Sequence, residues 1–68
     1  MVDWILISNK PVNEPVKETY ELCGVYVIIP FSNSQAHHLA EKYTSCRKLL
    51  VDVQSIREFI KVIKEVRK

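Results

Sequence analysis

The sequence predicts a small α/β domain of three consecutive strand–helix units (βαβαβα), and three observations lead there. Short apolar or β-branched runs recur around Ile5, Val27 and Leu50, at a spacing of roughly 22 residues that any βα unit of this size shares. Helical periodicity follows the second and third of these runs. The only glycine, Gly24, stands where a helix after the first run would end. Alternating strands and helices imply a mainly parallel sheet with right-handed crossovers.

Each element has its own signal. Trp4-Ile5-Leu6-Ile7 is closed by Ser8-Asn9-Lys10-Pro11 and reads as a buried strand and a turn. Asn13-Glu14-Pro15 offers an N-cap, an acid and a first-turn proline, so residues 13–24 read as a helix with Val16, Tyr20 and Cys23 on one face. Thr19, Tyr20 and Val25 also suit a pleated surface, which leaves a hairpin through residues 16–29 as the alternative. Val25 through Ile29, stopped by Pro30, is the clearest strand. Ala36, Leu39, Ala40 and Tyr43 recur with helical spacing over residues 34–45. Leu49-Leu50-Val51-Asp52-Val53 reads as the third strand, and Ile56, Phe59, Ile60, Ile63 and Val66 as the apolar face of a last helix.

Both faces of the first two strands are apolar, so the sheet needs cover on both sides. A flavodoxin-like strand order 2-1-3 supplies helices to both faces, whereas 1-2-3 leaves one face bare. Either way a three-stranded sheet keeps two open edges, and self-association is the expectation.

The 68 residues form one domain, 1–68. A chain this short buries only about 60% of its unfolded surface, so partners are a natural source of extra stability. With 47% apolar and 26% charged residues the chain is globular rather than disordered. Cys23 and Cys46 are far apart, in no CxxC pair, and read as two reduced thiols. The start lacks the pattern of a signal peptide, and no run approaches the ~20 apolar residues of a membrane span, so a cytoplasmic setting without membrane is expected.

Part of the chain resembles response-regulator receiver domains. Ile5-Leu6-Ile7-Ser8-Asn9-Lys10-Pro11 is similar to their first strand and loop, Leu22-Cys23-Gly24-Val25-Tyr26-Val27 to their second-strand entry, and Leu50-Val51-Asp52-Val53 to the strand bearing their phosphoacceptor aspartate. The acidic pair that holds the metal in that family is replaced here by Ser8 and Asn9. The resemblance therefore implies a flavodoxin-like geometry without the family's metal-dependent chemistry.

Candidate surfaces follow from the predicted fold. The carboxyl edge of a parallel sheet would gather Ser8, Asn9, Ser32, Asn33, Ser34, His38 and Asp52 beside helix N-termini, an arrangement suited to an anion. A single glycine provides no phosphate-cradling loop, so neither a P-loop nor a dinucleotide motif is present. No spacing of His, Cys, Asp or Glu suggests a metal, and no cofactor is implied. Charge is uneven: residues 1–34 carry two lysines against four acids (net −2), and residues 35–68 eight Lys/Arg against four acids (net +4). On the last helix Arg57, Lys61, Lys64 and Lys68 form a basic stripe that Arg47 and Lys48 could extend, a candidate surface for nucleic acid or an acidic partner. The expected function is a small non-enzymatic interaction module that self-associates or binds a protein. Nucleic-acid binding by the basic helix is one alternative, and anion binding or catalysis at the carboxyl edge is the other.

Overall fold

In a computed structural model, which describes residues 2–66, the chain forms four strands and two helices. They run β1 (Val2–Ser8), β2 (Glu18–Leu22), β3 (Val25–Ile29), α1 (Asn33–Lys42), β4 (Arg47–Asp52) and α2 (Val53–Val66). The sheet has the order β2-β3-β1-β4, and every neighbouring pair is antiparallel. This overturns the expected three-stranded parallel βαβαβα sheet of order 2-1-3, and with it the receiver-domain geometry that the resemblance implied.

The error lies between residues 13 and 24. That stretch is not a helix: it holds β2, which turns tightly into β3. Val16 packs with Leu6, Ile28 and Leu39 on one side of the sheet, while Tyr20 packs with Ile5, Val27 and Ile60 on the other. Residues that would share a helical face thus serve opposite layers, because Val16 lies in the irregular segment before β2 and only Tyr20 belongs to the strand. The burial of β2 alternates half-buried and exposed from Glu18 to Leu22. Gly24 is not a helix terminator but the second residue of a two-residue hairpin turn. Cys23 and Gly24 both have positive φ, 53° and 82°, as a type I′ turn demands.

Once β2 and β3 form a hairpin, the rest of the topology follows. β3 and β4 both pair antiparallel with β1, so they run parallel to each other with β1 between them. Helix α1 is the crossover that joins them. Ser32 caps it, its Oγ accepting the Gln35 N–H at 3.2 Å. Gln35 reaches back to accept the Phe31 N–H and donates from Nε2 to the Pro15 carbonyl, both at 2.6 Å. Those bonds tie the irregular segment 9–17 to the helix, and Lys42 adds an ion pair to Glu14 at 3.0 Å. α2 starts without a loop after β4, where Asp52 Oδ1 accepts the Gln54 N–H at 3.0 Å.

Two cores result, one on each face. Leu6, Ile28, Leu39 and Cys46 form the α1 side, with Val12, Val16 and Tyr43 around them. Ile5, Val27, Ile29 and Ile60 form the α2 side, with Tyr20, Leu22, Val51 and Ile56 around them. Both apolar faces of β1 are covered, by helices that come from a different connectivity.

The turn supplies a stability test. An L-residue at positive φ costs about 1 kcal/mol or more, except asparagine, which visits this region readily. Cys23→Asn creates the favoured Asn-Gly turn and is expected to raise the melting temperature by a few degrees in a calorimetric scan. An unchanged or lower value would contradict the hairpin assignment.

Candidate protein-interaction edge

The antiparallel sheet separates residues that a parallel one would have gathered. Ser8 and Asn9 end β1 at one end of the sheet, while Ser32, Asn33, Ser34 and Asp52 lie at the other, where β1 begins. Ser8, Ser32, Asn33 and Asp52 have local employment. Ser8 is 2% exposed, its Oγ 3.1 Å from Ser45 Oγ and accepting the Lys10 N–H. Ser32 and Asp52 cap helices, and Asn33 Oδ1 accepts the Trp4 N–H at 3.3 Å. His38 is exposed on α1. Ser8 and Asn9 are therefore separated from the rest of the expected anion-binding edge, while Ser32, Asn33, Ser34 and Asp52 stay at one end of the sheet. A cavity of about 370 Å³ at the end where both helices start is lined by Ser32 and Asn33, with Asp3, Lys17 and Arg57. Among the described residues no three His, Cys, Asp or Glu side chains group as metal ligands. Cys23 is exposed in the hairpin turn and Cys46 buried in the α1-side core, both as free thiols.

The basic residues also divide. Arg57, Lys61 and Lys64 do share one flank of α2, beside Tyr20 of β2. Two of them are used inside the molecule. Arg57 Nε donates to Glu18 Oε2 at 3.0 Å, and the Tyr20 hydroxyl donates to the same oxygen at 2.9 Å. Lys64 Nζ lies 4.9 Å above the Tyr20 ring, within cation–π range. This cluster fastens β2 to α2. Lys48 is on the opposite face, with Nζ 2.9 Å from His37 Nδ1 and 5.5 Å from the Trp4 ring centre. Arg47 is exposed at the start of β4, and Lys68 lies outside the described residues. The five basic candidates among the described residues do not form one stripe.

What the sequence reading missed is how β4 is presented. Among the described residues β4 pairs only with β1, so its other side is an open edge. Which residues offer free backbone groups there can be counted across the sheet. A two-residue turn makes Leu22 and Val25 a hydrogen-bonded pair, so Val25, Val27 and Ile29 address β2, and Tyr26 and Ile28 address β1. Their partners Ser8 and Leu6 address β3, and Trp4 follows them, its N–H reaching Asn33 just beyond β3. Asp3, Ile5 and Ile7 then address β4 through Val51, Leu49 and Arg47. The N–H and C=O groups of Lys48 and Leu50 and the N–H of Asp52 are left pointing outward, the Asp52 C=O being taken by the first turn of α2.

Apolar side chains surround that edge. Leu49 is 47% exposed on the α2 face and Leu50 55% exposed on the α1 face. On α2, Phe59, Val62 and Val66 are exposed at 61%, 55% and 78%. Helical spacing of 100° per residue puts them on the flank opposite Arg57 and Lys64. Since Arg57 and Lys64 meet β2, the apolar flank faces the β4 side. Five of the eight exposed large hydrophobics thus border one open strand. The other edge, β2, directs outward the backbone of Thr19 and Glu21, both with polar side chains. Comparison with family models, with curated proteins and with solved structures finds no match for this chain.

The clamp on β2 has a pH signature. The Arg57 guanidinium first, and then the Tyr20 hydroxyl, hold the Glu18 carboxyl below its ordinary value of 4.5. A depressed carboxyl contributes stability above its unfolded-state value and loses it as pH falls through the folded value. Stability should therefore fall below about pH 4.5, and part of that fall should vanish in Glu18→Gln. Because both side chains of the ion pair are about a third exposed, at 32% and 30%, the same substitution is expected to cost only about 0.5–1 kcal/mol at neutral pH, by chemical denaturation. Parallel acid profiles for the two proteins would refute the role given to Glu18.

Proposed function

We propose that the chain is a non-enzymatic protein-interaction module that takes up a partner's strand along the β4 edge. The observation that carries this reading is the coincidence of unpaired backbone groups at Lys48, Leu50 and Asp52 with apolar side chains on both faces of the same edge. Strand addition draws its affinity from main-chain hydrogen bonds and its selectivity from the alternating side chains. Leu49 and the apolar flank of α2 would cover a partner on one face, and Leu50 on the other. A row of exposed apolar residues beside an open strand is a liability unless something covers it.

The two alternatives draw less support. Nucleic-acid binding calls for free cations along one surface, and here Arg57 and Lys64 are spent on β2 while Lys48 faces the other way. Anion binding or catalysis calls for convergence of Ser8 with Ser32 and Asp52, and these stand at opposite ends of the sheet.

Leu50→Pro tests the reading without touching a core. The Leu50 N–H points outward, so proline removes an edge donor and no bond to β1, and edge strands tolerate it. A photo-cross-linking amino acid at Phe59 is expected to give a discrete protein adduct in the parent chain, lost in Leu50→Pro. Absence of any adduct, or an adduct indifferent to Leu50→Pro, would overturn the proposal.

A further inference from the structure

We infer that the occupant of the β4 edge is a second copy of this chain, paired antiparallel about a two-fold axis through Leu50. This inference rests on the proposed reading of the edge and adds the identity and register of the partner. A two-fold axis normal to the sheet keeps both α2 helices on one face, so a residue can oppose only a residue of its own face. Hydrogen bonding adds a second condition, since opposed residues must both direct their backbone groups into the seam or both away from it. These conditions leave few registers, which differ in what stands opposite Lys48. One opposes Lys48 to Lys48 of the copy, placing like charges together. One opposes Lys48 to Leu50, setting an ammonium against a leucine with no counter-charge. One opposes Lys48 to Asp52, and symmetry makes that ion pair twice.

In the third register Leu50 meets Leu50 on the axis, and Leu49 meets Val51 on the α2 face. Asp52 already gives Oδ1 to the Gln54 N–H, which leaves its second oxygen for the lysine. The apolar flanks of the two α2 helices, with Phe59 and Val62, then face each other across the seam. Two four-stranded sheets become one continuous sheet of eight strands (4 + 4). The pairing is isologous, so it closes at two copies, and the remaining edges are both β2, with Thr19 and Glu21 outward. Lys48 and Asp52, which would discourage indiscriminate strand pairing, here select a single alignment.

Cysteine cross-linking reads the register. In a Cys23→Asn background, which removes the exposed thiol, Leu50→Cys and Leu49→Cys are oxidised gently and resolved on non-reducing gels. Directly opposed residues have Cβ atoms about 4.5–5.5 Å apart, against about 7–8 Å for the diagonal neighbours that two copies of residue 49 would be. Leu50→Cys is expected to form a covalent dimer at least about tenfold faster, because its spacing lies nearer to the geometry of a disulfide. Faster or equal cross-linking of Leu49→Cys would overturn the register. Sedimentation equilibrium of the unmodified chain is expected to give a dimer, and Lys48→Glu to weaken it at least about fivefold by turning both ion pairs into repulsions. A monomer throughout the micromolar range would overturn the second copy as occupant. The edge reading itself would survive that result if the Phe59 cross-linker captured a different protein and Leu50→Pro abolished the capture.

Discussion

Ile5 and Leu6, adjacent on β1, are both wholly excluded from solvent, and they face opposite layers. The rest of the molecule is organised by that constraint. A central strand apolar on both faces must have neighbours on both sides and cover above and below. β3 and β4 supply the neighbours, α1 and α2 the cover. Each helix needs only a narrow apolar stripe to do this. Ala36 and Leu39 are the buried residues of α1, and Ile60 alone is buried on α2. A domain of 68 residues spends its core around one strand, and the periphery is left thinly covered.

That economy explains where the exposed apolar surface falls. On its positive flank α2 is bound to β2 through the Arg57–Glu18–Tyr20 cluster and the Lys64–Tyr20 contact. On the far edge Leu49 stays half open, and Phe59, Val62 and Val66 are exposed on the same side. One edge of the sheet is thereby finished with polar side chains and ion pairs, and the other is finished with leucine. The electrostatics of β2 and the apolar character of β4 are two consequences of a single helix position. The same cluster engages Arg57 and Lys64, two members of the basic stripe that helical spacing had suggested for nucleic acid.

How much of this was legible depended on the range of the signal. α1, α2 and the strands around Ile5, Val27 and Leu50 were legible because periodicity and end signals are local. The hairpin was legible only as the alternative through residues 16–29, because Asn13-Glu14-Pro15 and Gly24 mimic helix ends while Val16, Tyr20 and Cys23 fall at helical spacing. Only the tertiary structure shows Val16 and Tyr20 on opposite faces. Thr19, Tyr20 and Val25 were the strand signals that carried this alternative, and Gly24 fits the second position of its turn as well as a helix end. Misplacing that one element reversed the strand directions and split Ser8 and Asn9 from the expected anion edge, since Ser8 and Asp52 share an end only in a parallel sheet. The need to cover both faces was legible in the composition of β1. Which backbone groups point outward from β4 was not, since that depends on a count through three strand pairings.

The central claim is that β4 is an open edge whose free backbone groups belong to Lys48, Leu50 and Asp52 and are filled by a partner strand. Amide hydrogen exchange, resolved residue by residue and followed across protein concentration, tests it most directly. At high dilution Leu49 and Val51 should be protected by β1, while Lys48 and Leu50 exchange fast. On raising the concentration, Leu50 should gain protection and Leu49 should change little. Protection of Leu50 equal to that of Leu49 at every dilution would mean that its N–H is already paired within the chain. Fast exchange of Leu50 at every concentration would mean that no second copy fills the edge.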